Sequence, residues 1–322
     1  MHARRHETRA RPPMLAPARH QTPNPNDTPM TISPLVDIGA NLTKKDFHGD
    51  MEAVLQRAFD KGVVAIIITG TTVMASRLAS QIATAAPDPG TLRPRATTMD
   101  VSRRPKLFAT AGVHPHFAST LSGAAMDQLR QLARQPEVVA VGECGLDYHR
   151  KLSPIDAQRK AFEAQLELAA DLKKPVFLHD RNASADFTEI LARWRGRLVG
   201  GVVHCFTGQR DVLEKYLALD MHIGITGWIC DERRGLNLRE LVKIIPRGRL
   251  MVETDAPFLI PRDLPKGPGE PNFDFRNEPS LVAHVARTVA RHRGETFEQL
   301  AEHTTAAARS LFSTMTDLRP AR

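Results

Sequence analysis

Short apolar runs alternate with helix-period segments along most of the chain, from Leu35 onward. Each run ends in, or is directly followed by, a polar residue or a glycine, and its length suits one buried strand. Repeated strand and helix units are typical of an α/β fold, because parallel strands need a crossover helix between them. Eight such runs are present, at Leu35–Ile38, Val63–Thr69, Leu107–Val113, Val138–Gly142, Val176–Leu178, Val202–Val203, Met221–Ile225 and Leu250–Glu253.

The intervening helices are recognised by apolar positions that recur at the helical period. The clearest are Met51–Asp60, Met74–Ala85, Ile155–Leu172, Ser184–Trp194 and Val212–Leu219. Eight strands with interleaved helices predict a closed (β/α)8 TIM barrel. The alternative is an open doubly wound sheet, which usually carries G-x-G-x-x-G after its first strand. The segment DIGAN at 37–41 does not have that pattern.

The 322 residues exceed the roughly 250 residues of a typical barrel, so segments outside the barrel are expected. Residues 1–30 are rich in Arg and Pro and predict a disordered basic extension. Residues 31–315 form one predicted barrel domain, which a flexible basic insert at 87–106 interrupts, and 316–322 form a C-terminal tail. These three segments should contribute little to the fold.

Composition is that of a soluble globular enzyme, with 42% hydrophobic and 25% charged residues. No run of about 18 apolar residues is present, so we expect no membrane partner. The three cysteines are scattered, without a C-x-x-C pair, which favours a reducing, cytoplasmic location. No interface stripe is evident along the predicted helices, and we expect a monomer.

The net charge of +8 suggests a nucleic-acid partner, but its distribution weakens that argument. Residues 1–30 and residues 87–106 each have a net charge of +3. Only +2 is left for the rest of the chain. The basic character is therefore weak support for DNA or RNA binding.

Titratable side chains stand at or just after the ends of six predicted strands. They are Asp37, His114, Glu143, His179, His204 and Asp255. All strands of a TIM barrel point the same way, so their carboxyl ends converge on the face where active sites lie. Carboxylates crowded there would repel one another unless a divalent cation stabilised their ionised form. The pattern therefore predicts a metal site, with mixed N and O ligands that suit Zn, Mn or Fe(II), or Mg where carboxylates and water dominate.

We expect Glu143, His179, His204 and Asp255 to hold the metal, with Glu143 bridging two ions and Asp255 also orienting or deprotonating the attacking water. Two ions about 3.5–4 Å apart lower the pKa of water and stabilise an in-line displacement.

Residues beside this set are candidates for contact with substrate. His114 and His116 in GVHPH are placed to donate to a phosphate or leaving group, and Arg181 to pair with a phosphate. For His116 and Arg181 the alternative is a solvated loop charge.

The chain resembles the TatD family of metal-dependent deoxyribonucleases over nearly the whole barrel. The matching segments are VDIGANLT (36–43), TAGVHPH (110–116), EVVAVGECGLDYHR (137–150), PVFLHDR (175–181), VVHCFTG (202–208), IGITGWICDERRG (223–235), VETDAPFLIPRDL (252–264) and RNEP (276–279). The resemblance implies a TIM barrel of the metal-dependent hydrolase type and 3′-exonuclease activity on single-stranded DNA or RNA. By position, Glu143, His179 and His204 match the family's metal ligands, Asp255 its acidic metal and catalytic residue, and His114 a catalytic histidine.

Strand one departs from many members of this family, which open with Asp-x-His-x-His. This chain has Gly39 and Asn41 at the two histidine positions. Losing two strong ligands implies one tight and one weak cation site, with Asn41 near the weak ion or the substrate. We expect Mg to be the ion in use, with Mn or Zn as alternatives.

Two other functions remain open on sequence grounds. The first is an amidohydrolase-like enzyme that cleaves a small ester, lactone or amide on the same scaffold. That class commonly uses a strand-one His pair and a strand-four Lys, whereas strand four here ends in Glu143. The second is a non-catalytic nucleic-acid-binding module, which would not require a converging set of histidines and carboxylates.

Overall fold

One eight-stranded sheet organises the protein, in a computed structural model that describes residues 33–84, 104–265 and 276–315. The strands lie side by side in sequence order, and each neighbouring pair is parallel. They are β1 (Leu35–Ala40), β2 (Val63–Ile68), β3 (Lys106–Ala111), β4 (Val138–Asp147), β5 (Val176–Arg181), β6 (Gly201–Val203), β7 (His222–Ile225) and β8 (Leu250–Val252).

The sheet closes where β1 meets β8. Ala40 forms a parallel bridge with Ala256. The backbone N–H of Asn41 donates to the Ala256 carbonyl at 2.6 Å, and that of Asp255 to the Gly39 carbonyl at 2.8 Å. The predicted TIM barrel is therefore confirmed, and its seam lies at the carboxyl ends of the strands.

All eight predicted strands are present, but β4 is longer than its apolar run. The sequence interpretation ended this strand at Gly142, whereas pairing with β5 continues to Asp147. Gly142 and Gly145 have φ values of 140° and 143°, which side-chain-bearing residues rarely adopt. A Cβ at Gly145 would also collide with the His179 carbonyl. The glycines let β4 continue where the sequence pattern suggested that it stops.

Helices connect the strands on the outside of the barrel. Three of the predicted helices have the predicted bounds, and two are shifted by one or two residues. The described residues form α1 (Met51–Asp60), α2 (Val73–Thr84), α3 (Gly123–Ala133), α4 (Ile155–Leu172), α5 (Ser184–Trp194), α6 (Arg210–Ala218), α7 (Leu236–Leu241), α8 (Val282–Arg293) and α9 (Phe297–Leu311). No helix in these described stretches is long and apolar enough to cross a membrane.

Two apolar clusters form the core. The larger lies between strands and helices, and the smaller combines strand residues with the end of α9. Because the smaller cluster draws on six strands, only the barrel interior can hold it. Its members include Val36, Ile67, Val139, Phe177, Val202, Met251 and Phe312. The end of α9 therefore closes the barrel opposite the seam contacts, which leaves the carboxyl ends of the strands for the site.

The predicted segments outside the barrel are mostly beyond the described residues. This applies to the extension at 1–30, the tail at 316–322 and most of the insert at 87–106. The end of that insert is described, and Lys106 already belongs to β3. The described residues belong to a single compact unit.

Candidate metal centre at the barrel mouth

Glu143 on β4 lies at the centre of a histidine cluster. One oxygen, Oε1, is 2.8 Å from Nε2 of His204 and 2.9 Å from Nδ1 of His179. Nε2 of His114 is 3.3 Å from the same oxygen. His179 lies on β5, His204 directly follows β6, and His114 follows β3 by three residues, so the barrel brings three separate segments to the carboxylate on β4. Glu143, His114 and His179 can present ligand atoms that all lie within 4.8 Å of one another.

The charges in this cluster support one another despite their burial. Burial alone would raise the pKa of Glu143, but His204 and His114 hold it well below its ordinary value. Burial would lower the pKa of His204, yet Glu143 and Glu253 raise it well above its usual range. Burial lowers the pKa of His114 to about 3. The Glu143 carboxylate opposes this shift, whereas the neighbouring histidines add to it. Glu143 is therefore an anion and His114 a neutral ring near pH 7.

Asp147, at the end of β4, is a second carboxylate that sequence reasoning missed. Its Oδ2 lies 2.7 Å from Nε2 of His116 and 3.6 Å from Nε2 of His179. Its Oδ1 accepts the backbone N–H groups of His149 and Arg150. Although burial opposes ionisation, the nearby His179 ring and hydrogen bonds from the Arg150 N–H and His116 hold the pKa of Asp147 far below its ordinary value. The sequence feature that could have revealed Asp147 is its position four residues after Glu143, because residues an even number apart share one face of an extended strand.

Glu253, directly after β8, is the third carboxylate and was also missed. It is fully buried, and its Oε1 accepts the Cys205 N–H at 2.5 Å. Its Oε2 lies 3.4 Å from Nδ1 of His204, on the far side of the ring from Glu143. A Cβ on Gly39 or Gly224 would collide with this carboxylate. The two glycines thus make room for Glu253, and the signal for it is the VETDAP segment, where Glu253 and Asp255 alternate.

Asp255 lies at the seam and has a φ of 54°. Its Oδ1 accepts a hydrogen bond from Nδ2 of Asn41 at 2.9 Å. Burial raises the pKa of Asp255 to about 7; His204 opposes this rise, whereas Glu143 and Glu253 add to it. The seam therefore holds an acid that changes protonation near neutral pH, with Asn41 fixing its orientation.

The donor atoms of this mouth fit a divalent cation. Nδ1 of His179, Nε2 of His204 and Nε2 of His114 all face Oε1 of Glu143, so imidazole nitrogens and a carboxylate oxygen converge on one place. Ligand atoms of Glu143, His114 and His179 lie within 4.8 Å of one another there. Imidazole nitrogens together with carboxylate oxygens suit Zn, Mn or Fe, and the carboxylates also suit Mg.

Comparison with known proteins agrees with this geometry. The family model for TatD related DNases matches residues 36–313. The chain belongs to the TatD family. A TatD-family relative from Pantoea vagans, a 3′-5′ ssDNA/RNA exonuclease by name, is 48% identical over 278 residues, which are 86% of this chain and 99% of the relative. A relative of the same name from Shigella flexneri is 44% identical, with 86% and 98% covered. The protein is thus a hydrolase of the TatD nuclease family.

Solved TatD-family structures have the same barrel. A TatD-family hydrolase from Entamoeba histolytica superimposes with a TM-score of 0.74 at 26% identity and covers 87% of this chain and 98% of its own. A TatD homologue from Escherichia coli gives 0.72 at 28% identity, with 88% and 99% covered. An uncharacterised amidohydrolase from Saccharomyces cerevisiae gives 0.71 at 24% identity, with 86% and 99% covered, which shows the shared fold alone.

The remaining residues that the sequence suggested for the site of this TatD-family chain do not all lie at the barrel mouth. The His116 ring forms a hydrogen bond with Asp147, and the Asn41 side chain donates a hydrogen bond to Asp255. Arg181 ends β5, two residues after His179, so both side chains leave the same face of the strand. Asp37 does not stand at a strand end: it is buried within β1, where it accepts hydrogen bonds from Thr254 and the Gly39 N–H. Because β1 continues to Ala40, Asp37 lies within the strand and not at its carboxyl end. The prediction that Asp37 stands at the barrel mouth was therefore wrong.

Proposed function

We propose that this TatD-family hydrolase is a metal-dependent exonuclease that removes nucleotides from the 3′ end of single-stranded DNA or RNA. The observation that carries the proposal is the buried Glu143 carboxylate, with three histidine nitrogens within 3.3 Å of one oxygen. Relatives of up to 48% identity that bear the name 3′-5′ ssDNA/RNA exonuclease TatD supply the substrate class and the polarity. The reaction is phosphodiester hydrolysis by water.

Glu143, His179 and His204 are the proposed ligands, joined by Asp255. We propose that the enzyme uses Mg, with Mn or Zn as alternatives. When bound, such cations lower the pKa of a water and neutralise charge on the phosphoryl oxygens. Gly39 on β1 and Asn41 directly after it stand where many relatives have two histidines, so the β1 side of the mouth offers weaker metal ligands than the side with Glu143, His179 and His204. This difference in ligands supports one tight and one weak cation-binding site.

Asp255 is the proposed general base. Burial raises the pKa of the Asp255 carboxyl to about 7 in the metal-free protein. A carboxylate at this place can accept a proton from the attacking water. The hydrogen bond from Asn41 holds one carboxylate oxygen, which leaves the other free to meet the water. Asn41 thus serves substrate chemistry through Asp255, in addition to its proposed contact with substrate.

His114 acts as a neutral hydrogen-bond donor in this proposal. Its Nδ1 accepts the backbone N–H of His116 at 3.0 Å, so the proton of the neutral ring is on Nε2. That Nε2–H points into the mouth towards Glu143, at 3.3 Å. A donor there can bind a phosphoryl oxygen or the leaving group as negative charge develops.

Asp147 and Glu253 are proposed positioning residues. Each lies beside a histidine that contacts Glu143: Asp147 beside His179 and Glu253 beside His204. A carboxylate behind a ligating imidazole fixes the ring orientation and raises its basicity. His116, which bonds Asp147, and Arg181 at the end of β5 are the proposed contacts for substrate phosphates.

We further propose that the enzyme works as a monomer in the cytoplasm. Its three cysteines are free thiols, which is compatible with a reducing compartment. Light scattering of the purified chain tests the monomer, since a stable dimer would give twice the mass. Fractionation of the producing cells tests the location.

An end-labelled nuclease assay tests the proposed function. We expect 3′-ended single strands to be shortened with Mg or Mn, chelator to stop the reaction, and Glu143→Gln to reduce kcat by at least about 10²-fold. Glu240→Gln is the matched control, because Glu240 pairs with Lys243 on the exposed surface. Full activity of Glu143→Gln would overturn the metal assignment. Preferential hydrolysis of a small ester would instead support the amidohydrolase-like alternative.

A further inference from the structure

A second group of metal-ligating side chains lies outside the Glu143 cluster. Cys230 ends a short 3-10 helix after β7, Asp263 lies in the loop after β8, and His284 is on α8. A thiol sulfur, a carboxylate oxygen and an imidazole nitrogen from these residues all lie within 4.8 Å of one another. Three segments far apart in sequence thus place three different donor types together.

The contacts within this group leave one side open to solvent. Nε2 of His284 is 2.6 Å from Oδ1 of Asp263, and Sγ of Cys230 is 3.6 Å from Oγ1 of Thr288. Cys230 is fully buried, whereas the His284 and Asp263 side chains are 22% and 25% exposed. A small ion can therefore reach the thiol from the side of the His284–Asp263 pair.

The chain on either side of these residues is already held in place. Nε of Arg262 lies 3.2 Å from Oδ2 of Asp231, which ties the neighbour of Asp263 to the neighbour of Cys230. Oδ1 of Asp231 also accepts the N–H groups of Arg233 and Arg234. The two loops are thus fixed relative to each other before any ligand binds, so only side-chain adjustments are needed to bring the donors around a cation.

We propose that Cys230, Asp263 and His284 bind one Zn²⁺-class transition-metal cation, with water in the fourth position. Mixed S, N and O donors suit Zn²⁺ and disfavour Mg²⁺ and Ca²⁺, which take oxygen ligands. In a tetrahedral Zn²⁺ site neighbouring ligand atoms are about 3.4 Å apart. Nε2 of His284 and Oδ1 of Asp263, which are 2.6 Å apart, must therefore separate slightly when the cation binds. On binding, the Cys230 thiol loses its proton to solvent and the sulfur forms the metal bond.

This cation would join the loops after β7 and β8 to α8 without touching the proposed nuclease centre. Burial raises the pKa of the Cys230 thiol to about 12, and the nearby Asp263 carboxylate adds to the rise. A divalent cation reverses that effect, because it stabilises both the thiolate and the carboxylate. The role is that of a structural clip, independent of the proposed exonuclease activity.

Titration of the metal-free, full-length protein with Co²⁺ tests this site. A thiolate–Co²⁺ bond gives a near-ultraviolet charge-transfer band, which a centre with only N and O ligands lacks. We expect one equivalent of this band in the wild type, its displacement by Zn²⁺, and its loss in Cys230→Ser and His284→Ala. Asp263→Asn should weaken Co²⁺ binding at least about tenfold. Circular dichroism checks the fold, and the partly exposed His284 and Asp263 provide variants that should not disturb the core.

Two controls separate this site from the Glu143 cluster. Cys205 follows His204, so Cys205→Ser should keep the band if Cys230 is the ligand. Glu143→Gln should lose nuclease activity and also keep the band. A wild type without the band, or a band lost in Cys205→Ser and retained in Cys230→Ser, would overturn the proposal. Because the readout is spectroscopic, failure of the nuclease assay would leave its outcome unchanged.

Discussion

The Glu253 carboxylate fills the space directly in front of Gly39. A Cβ at position 39 would overlap Oε2 of Glu253 and lie 3.1 Å from the ring of Phe177. Glu253 cannot easily yield, because it is fully buried and its other oxygen binds the Cys205 N–H. The Glu253 carboxylate can therefore lie beside His204 only because residue 39 on β1 has no side chain.

Gly39→Ala should accordingly displace Glu253 and disturb His204. We expect kcat/KM to fall at least about tenfold and the tight cation to bind more weakly. Gly49→Ala is the matched control, because a Cβ there meets nothing within 4 Å. Activity and metal affinity should be measured together. The double variant Gly39→Ala/Glu253→Ala should be no worse than Glu253→Ala alone, and additive losses would contradict the proposed contact.

Asp255→Asn should separate proton transfer from metal binding. The replacement amide oxygen can still accept the Asn41 hydrogen bond, so the local structure should survive. Without the general base, kcat should fall on the order of 10²-fold or more, while tight metal binding through Glu143 and its histidines persists. Single-turnover cleavage and calorimetric metal titration check both parts. A variant that loses the tight metal site completely would show that Asp255 acts mainly as a ligand.

Sequence reasoning predicted the barrel because eight short, mainly apolar runs alternate with helix-period segments. It also predicted that Glu143, His179 and His204 would lie close together, since each stands where an apolar run meets polar sequence. It missed the end of β4 because glycines usually signal a break, whereas Gly142 and Gly145 here allow close contact with β5. Asp147 was missed for the same reason, since its place in the site depends on that extra strand length.

Pairing between side chains could not be predicted from strand ends alone. The expectation that Asn41 meets the weak ion or the substrate stays a prediction, but no sequence pattern indicated that its amide also binds Asp255 across the seam. Asp37 was expected at the mouth, yet it bonds Thr254 inside the barrel wall. Both contacts depend on the register between β1 and β8, which lie more than 200 residues apart in sequence. No local pattern encodes that register.

Exposed apolar side chains surround the mouth and suggest a platform for bases. Six of the eight large exposed hydrophobic residues described follow the carboxyl ends of strands: Met74, Phe117, Leu152, Ile155, Leu236 and Phe258. Phe258 is 49% exposed, and Nζ of Lys44 lies 5.9 Å from its ring centroid. An aromatic face beside a cation suits a single strand, whose bases stack and whose phosphates are negative.

Phe117→Ala and Phe258→Ala should therefore raise KM for oligonucleotides. Stacking is worth about 1–3 kcal/mol per base, so a rise of roughly five- to 150-fold is expected. Hydrolysis of a small aryl phosphodiester should be unchanged, since it has no base to stack. Val199→Ala is the matched control, because Val199 is 55% exposed and precedes β6 at the opposite end of the barrel. Equal effects on both substrates would argue against stacking.

Asp37 should make the metal-free protein less stable as pH rises. Burial raises its pKa to about 8, although hydrogen bonds from Thr254 and Gly39 oppose the rise. The unfolded chain releases this proton near the ordinary value of 3.8, so between about pH 4 and pH 8 the folded state binds more protons. The contribution of Asp37 to the free energy of unfolding is thus largest below pH 4 and decreases through that window.

Asp37→Asn should remove this dependence, because an amide resembles the protonated acid. Its oxygen can accept the N–H groups of Thr254 and Gly39, and its NH₂ can donate to the Thr254 hydroxyl. Urea unfolding in chelator should show similar stability for both proteins near pH 4.5. At pH 8.5 the variant should be more stable, on the order of 2 kcal/mol. Parallel curves across this range would mean that Asp37 is already ionised in the folded protein and that its three hydrogen bonds outweigh its burial.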